Sequence, residues 1–315
     1  MKYAIVMDSV GSLPDSEFVK RPIKLLPLAV SFDGIEYVDT YEERALVPIH
    51  SAGRVGIKTD SVSITPSAKD VASYLLKNIV SEYDVIICQS VGRDYTPIYD
   101  SMVGATDSLE ATSKAIRLSA GRTEELKTVC VDSYTVVAGQ GLIALHSDNI
   151  LREGMPLDEF VDYMGDFRTL VKTFLIVRDS VYARHRQKQK GNKTVSYPMA
   201  VVANTFSVAP ITLAQNSQID VMDLTTRGFD NAVEKVLDYC CERVQEGLAA
   251  PLINLSYAGD PLVLTKHNSF KKLQHVCDVA DVRLYIGAMT LAASINTGPG
   301  VLTVGIAPIN QDATP

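Results

Sequence analysis

The sequence predicts an α/β protein of two domains. Short apolar runs alternate with longer helical patterns along most of the 315 residues. The alternation breaks once, in the polar and basic stretch between Arg178 and Ser196, and then resumes. The composition, 46% hydrophobic and 21% charged, is that of a globular chain with sizeable cores. Strand–helix alternation implies α/β layers on a largely parallel sheet, and this length fits about two domains of roughly 150 residues. The expected division is 1–168 and 169–315.

In chain order, YAIVM, KLLPLAV, DVIICQ, KTVCVD, TFLIV, LINLS and RLYIG read as strands. SAKDVASYLLKNIVSEY (67–83), PIYDSMVGATDSLEATSKAI (97–116), FDNAVEKVLDYCCERVQEG (229–247) and DPLVLTKHNSFKKLQHVCDVA (260–280) read as helices. In the first of these, Val71, Tyr74, Leu75 and Ile79 share one face at helical spacing. Thr65-Pro66 and Thr96-Pro97 both read as helix starts, with threonine as N-cap and proline at the first position. Such starts offer free N–H groups to a carboxylate or phosphate. Ser90 closes a strand near the second of them, and ligands of open α/β sheets gather beyond the carboxyl ends of strands. An acid-binding crevice follows. Near the C-terminus Gly298, Pro299 and Gly300 precede a Val-rich strand, which predicts a loop against which backbone or ligand comes close.

A net charge of −7 argues against a general nucleic-acid binder, because neutralising phosphates takes a basic face. No stretch approaches the ~18–20 apolar residues of a membrane span, so no integral membrane association is expected. Asp8 interrupts the short apolar run at the N-terminus, which is unlike a secretory signal; the cytoplasm is the expected compartment. The five cysteines form no CxxC pair, so neither a metal site nor a cofactor is expected.

Three motifs need weighing. GQGLIA (139–144) fits a dinucleotide fingerprint, but the preceding strand ends near Asp132, so its glycines belong inside a helix as packing residues. Asp8-Ser9 at the end of the first strand reads equally as a chemical pair or as a self-bonded turn. The basic run 184–193 reads as a solvated loop or as a docking surface. No histidine has a partner at diagnostic spacing, and no catalytic residue is assigned.

Together these landmarks resemble the DegV family of fatty-acid-binding proteins, which includes the carrier subunits of bacterial fatty acid kinase. MDSVGSLP (7–14), LLPLAVSFDGIEYVD (25–39), SITPSAKDV (63–71), VDSYTVVAGQGLIAL (131–145), VAPIT (208–212) and NTGPGVLTVGI (296–306) are similar to the family's motifs, in order and over the whole chain. The resemblance implies a two-domain DegV-like (EDD) fold, with a fatty-acid carboxylate in the cleft between the domains and the acyl chain in an apolar tunnel. Its head-group residues would be Ser63, Ile64, Thr65, Thr96, Asn296, Thr297 and Gly298, with a family arginine at Arg184 or Arg186. Asn296 stands where the family has His, Thr96 where it has Ser, and Ile64 where it has Ser. The expected function is a non-enzymatic fatty-acid or related amphiphile carrier, with an acyl-phosphorylating kinase as its possible partner. The alternatives are a transferase or hydrolase using Asp8 and Ser9 in the same cleft, and a scaffold docking through 184–193.

Overall fold

The computed structural model describes residues 2–190, 208–312 and 314–315. The strands of the first half are β1 (Tyr3–Asp8), β2 (Ile23–Leu26), β3 (Ala29–Phe32), β4 (Ile35–Val38), β5 (Ser61–Ile64), β6 (Val85–Ser90) and β7 (Lys127–Asp132). Its helices are α1 (Asp15–Lys20), α2 (Glu43–Ser51), α3 (Ala68–Asn78), α4 (Ile98–Thr106), α5 (Leu109–Ser119), α6 (Val137–Arg152) and α7 (Leu157–Leu170). Then follow β8 (Lys172–Ile176), α8 (Ser180–Lys190), β9 (Ile211–Gln215), β10 (Gln218–Asp223), α9 (Phe229–Glu246), β11 (Leu252–Tyr257), α10 (Pro261–Thr265), α11 (Asn268–Val279), β12 (Arg283–Ala288), α12 (Leu291–Thr297) and β13 (Leu302–Ile306).

β1 is buried along its whole length, as a strand covered on both faces must be. It pairs in parallel with β2 and β6, and β6 with β7, giving a sheet in the order β2-β1-β6-β7. All four carboxyl ends therefore lie along one edge. The second large sheet, β10-β9-β8-β13-β11-β12, departs from the parallel expectation: only β11 and β12 run parallel, and the other pairings are antiparallel. Only β9 and β10 are joined by a hairpin; α9, α10 with α11, and α12 connect the strands that follow. At the β9–β10 turn, Asn216 and Ser217 take φ of 50° and 61°, the left-handed pair a two-residue hairpin turn needs. A third, small antiparallel sheet, β4-β3-β5, turns at Asp33-Gly34 (φ 52° and 81°) in the same way.

α6 lies between the two large sheets, packing on β1 and β6 on one side and on β8, β11 and β13 on the other. Every residue from Val137 to Leu151 except Asn149 is buried. Its glycines let the backbones meet: a Cβ on Gly139 would sit 1.9 Å from Thr173 Oγ1, and one on Gly141 would sit 2.3 Å from the Ser12 carbonyl oxygen. GQGLIA is thus a packing motif, as its context predicts.

Several boundaries differ from the sequence reading. Pro27 divides KLLPLAV into β2 and β3. Residues 97–116 form two helices, parted at Asp107–Ser108. The first Thr-Pro does not cap its helix: Ser67 does, in a capping box with Asp70. Much of the expected basic loop is helical, since α8 runs to Lys190; residues 191–193 and the side chain of Arg184 lie outside the described residues.

Candidate functional site

β5 pairs with β3 so that Ser63 lies opposite Val30, and the strand's alternation turns Ser63 and Val30 to one face and Val62 and Ile64 to the other. Val30 is fully buried, whereas Val62 and Ile64 are 42% and 37% exposed. Thr65 ends the same segment. Thr96 follows the short turn Arg93–Tyr95 beyond the carboxyl end of β6. Asn296 and Thr297 close α12, which packs on β3 and β5.

These five side chains converge. Ser63, Thr65, Thr96, Asn296 and Thr297 line one cavity of about 300 Å³, whose remaining wall is mainly apolar and includes Val10, Leu28, Val91, Val136, Val137, Leu175 and Ile219. The apolar residues come from both halves of the chain: Val10, Val91 and Val136 lie beyond the carboxyl ends of β1, β6 and β7, and Leu175 and Ile219 lie on β8 and β10 of the second large sheet. Ile64 and Gly298, also expected at the site, are not among these lining residues. Ile64 faces away, and Gly298 (φ 115°) packs against Tyr182, 3.1 Å from where a Cβ would be. A Cβ on Gly300 (φ 66°) would lie 2.6 Å from Arg178 Cδ. The Gly-Pro-Gly loop therefore owes its glycines to Tyr182 and Arg178.

Hydrogen bonds sort the polar lining into donors and supports. Asn296 Nδ2 donates to Ser63 Oγ at 3.0 Å and to the Ala292 carbonyl at 2.7 Å, so both amide hydrogens are engaged. Thr297 Oγ1 donates to the Ala293 carbonyl at 2.9 Å. Ser63 Oγ accepts from Asn296, and Thr96 Oγ1 accepts from the Ile98 N–H at 3.3 Å, which leaves each O–H to donate. The Thr65 hydroxyl makes no hydrogen bond among the described residues. Three hydroxyl donors, from Ser63, Thr65 and Thr96, thus face the cavity, and Asn296 orients one of them. Arg186 is 7% exposed and donates from Nη1 to the Ser61 carbonyl at 2.8 Å, two residues before Ser63. Burial lowers the pKa of its guanidinium from the ordinary value.

The site hangs on a seam between the halves that the sequence did not announce. Asp39, 4% exposed, accepts the N–H groups of Leu291 and Ala292 at 3.0 and 2.9 Å, holding the start of α12. Thr290 Oγ1 donates to the Ser9 carbonyl at 2.6 Å, and Ser12 Oγ accepts from Ser256 Oγ at 2.7 Å. Burial pushes the Asp39 carboxyl up to about 6. The signal available was an aspartate directly after a short strand, IEYVD.

Asp8 and Ser9 serve the same seam. Asp8 is fully buried and accepts from the N–H groups of Val10 (2.9 Å) and Val91 (2.7 Å) and from Gln140 Nε2 (3.0 Å); burial raises its pKa to about 6. Ser9 Oγ accepts from the Leu28 N–H at 3.0 Å. Neither lines the cavity, and both are spent on strand ends that do. Asp8 and Ser9, both buried and engaged, therefore do not present to the cavity the nucleophile or base that the hydrolase or transferase alternative assigned to them. Arg186, turned inward, is likewise unavailable to a docking surface. Among the described residues no group of three His, Cys, Asp or Glu could hold a metal ion.

Residues 2–308 match a family model described as "Uncharacterised protein, DegV family". A DegV domain-containing protein of Xanthomonas axonopodis pv. citri is 25% identical over 308 residues, covering 98% of each chain. Solved structures with the same fold include a DegV lipid binding protein from Thermotoga maritima (TM-score 0.75, 19% identity, 98% of this chain and 99% of that one). They also include the Streptococcus pneumoniae fatty acid kinase B3 protein loaded with linoleic acid (TM-score 0.68, 15% identity, 98% of this chain and 100% of that one).

Proposed function

The chain belongs to the DegV family, and from that premise we propose that it is a carrier that holds a fatty acid in the cavity between its halves. The observation that carries the reading is the set of hydroxyl donors at Ser63, Thr65 and Thr96 lining a mainly apolar hollow. A carboxylate is an acceptor-only group, and three O–H donors suit its two oxygens. Asn296 and Thr297 act as supports, and Arg186, behind β5, supplies positive charge near Ser63. The apolar wall takes the chain, at about 0.8 kcal/mol for each methylene removed from water. The likeness to proteins that carry lipid or linoleic acid supports the same ligand class.

We place the boundary between the two domains after residue 168, before the second large sheet begins, in the EDD arrangement. The cytoplasm suits the chain: all five cysteines are free, as a reducing compartment keeps them. No helix among the described residues is long and apolar enough to cross a membrane. An acyl-phosphorylating kinase is the partner that the likeness to the fatty acid kinase B3 protein supports; phosphoryl transfer to the bound acid in the presence of such a kinase tests it. Native mass spectrometry of protein purified from cells tests the carrier itself. Co-purified acyl mass is expected, and its absence together with no binding of added C8–C18 acids overturns the reading.

A further inference from the structure

Cys88 on β6 and Cys130 on β7 are Cα partners in the parallel pairing of the two strands. Side chains opposite each other in register point to one face of a sheet, here the face covered by α4, where both cysteines pack with Met102 and Ala105. Neighbouring strands lie about 4.8 Å apart, inside the roughly 4.4–6.8 Å that separates the Cα atoms of a disulfide. Both thiols are free. They are not equivalent. Cys88, on an inner strand of the sheet, is 0% exposed, whereas Cys130 is half-buried on the edge strand. Thr106 Oγ1, at the end of α4, lies 3.6 Å from Cys130 Sγ. A hydrogen bond from Cys88 lowers the pKa of Cys130, and the same contact together with burial holds Cys88 well above its ordinary value. The thiolate thus forms at the accessible sulfur, beside a buried thiol. Burial raises the pKa of each of the other three cysteines, Cys240, Cys241 and Cys277.

We propose that Cys88 and Cys130 form a dithiol modification site that a hydroperoxide converts to a disulfide. The Cys130 thiolate attacks one oxygen of hydrogen peroxide: an S–O bond forms, the O–O bond breaks, and hydroxide leaves to take up a proton as water. The Cys88 sulfur then attacks the Cys130 sulfenic sulfur. An S–S bond forms, the S–O bond breaks, and the hydroxyl leaves with the Cys88 proton as a second water. Each sulfur loses one electron, and the peroxide is reduced by two. Because a spacing of about 4.8 Å is shorter than the ~5.5–6 Å of most disulfides, the bond is strained and readily reduced. The two strands end at the cavity. Val91, in its wall, follows β6, and Asp132, the last residue of β7, accepts the Arg93 N–H at 3.0 Å on the turn before Thr96.

Treating reduced, folded protein with excess hydrogen peroxide, followed by alkylation and peptide mass spectrometry, tests the proposal. Two of the five thiols should be lost. The mass should fall by about 2 Da, a cross-linked Cys88–Cys130 peptide should appear, and dithiothreitol should restore both thiols. Cys88→Ser should stop at a Cys130 sulfenic acid that dimedone labels, and Cys130→Ser should give neither a disulfide nor a label on Cys88. Retention of all five thiols, oxidation of Cys130 without a bond to Cys88, or a bond that engages Cys240, Cys241 or Cys277 overturns the site. Dimedone labelling of Cys88 in Cys130→Ser overturns Cys130 as the attacking sulfur. Mapping of the wild type decides the site even where a variant does not fold.

Discussion

Replacing Asp39 with alanine removes the acceptor for two N–H groups at the start of α12, on residues that are 3% (Leu291) and 0% (Ala292) exposed. A buried donor left unpaired costs about 1–3 kcal/mol, so the pair costs about 2–6 kcal/mol. Against this stands the burial of the carboxylate. Its pKa rises from the ordinary 3.8 to about 6, which makes the ionised form roughly 3 kcal/mol less favourable in the folded protein than in the unfolded chain at neutral pH. Losing that charge offsets much of the damage, and the net loss at pH 7 is of the order of 1 kcal/mol. The sign of the pH dependence follows from the raised pKa. The folded state takes up the proton first, so the contribution of Asp39 is largest at low pH and is lost as pH rises through about 6. Between pH 7 and pH 5 the gap between wild type and Asp39→Ala should therefore widen by about 1 kcal/mol. Urea denaturation at the two pH values measures it, and amide exchange at Leu291 and Ala292 reports the local opening. A gap that stays constant or narrows toward pH 5, or amides that exchange at the wild-type rate, would refute the account of Asp39 as a desolvated clamp.

Four further outcomes follow from the same geometry. Ser63→Ala removes a hydroxyl donor to a charged head group at about 1.5–3 kcal/mol, and so should weaken fatty-acid binding by about 10- to 100-fold in calorimetry while leaving the melting temperature nearly unchanged. Gly139→Ala drives a methyl into Thr173 Oγ1 and should cost about 3 kcal/mol in thermal denaturation. By contrast, Gly165→Ala in α7, where a Cβ meets nothing within 4 Å, should stabilise by about 0.5–1 kcal/mol. Burial holds His146 at about 4, below its ordinary 6.5, so the unfolded chain takes up this proton first and stability falls as pH drops from 6.5 toward 4. His146→Phe should flatten that acid limb, by up to roughly 3 kcal/mol, a trend opposite in sign to that of Asp39 and separable from it by denaturation across pH.

Much of the site could be read in the linear chain. Ser63, Thr65 and Thr96 were marked by hydroxyls beside the two Thr-Pro segments, Asn296 and Thr297 by the resemblance of NTGPG to the family's motif, and all five line the cavity. Ile64 was misplaced because strand alternation, visible only once β5 is paired with β3, turns it to the opposite face. Arg186 read as part of a solvated run because charge density carries no direction, whereas a helix gives every residue one.

What the sequence determined by itself was the local grammar. Buried parallel strands came from continuous apolar runs, the packing helix from glycines set inside a helical pattern, and the family from the order of short motifs, because each depends on residues close together in the chain. The tertiary structure alone decided which hydroxyls keep a donor free, that Asp39 holds α12, that Asp8 and Ser9 are occupied in the seam, and that Cys88 lies opposite Cys130. Those properties belong to pairs such as Asn296 with Ser63 and Asp39 with Leu291, more than two hundred residues apart. No periodicity encodes such a pair; only the packing of the two sheets around α6 brings its members within a hydrogen bond of each other.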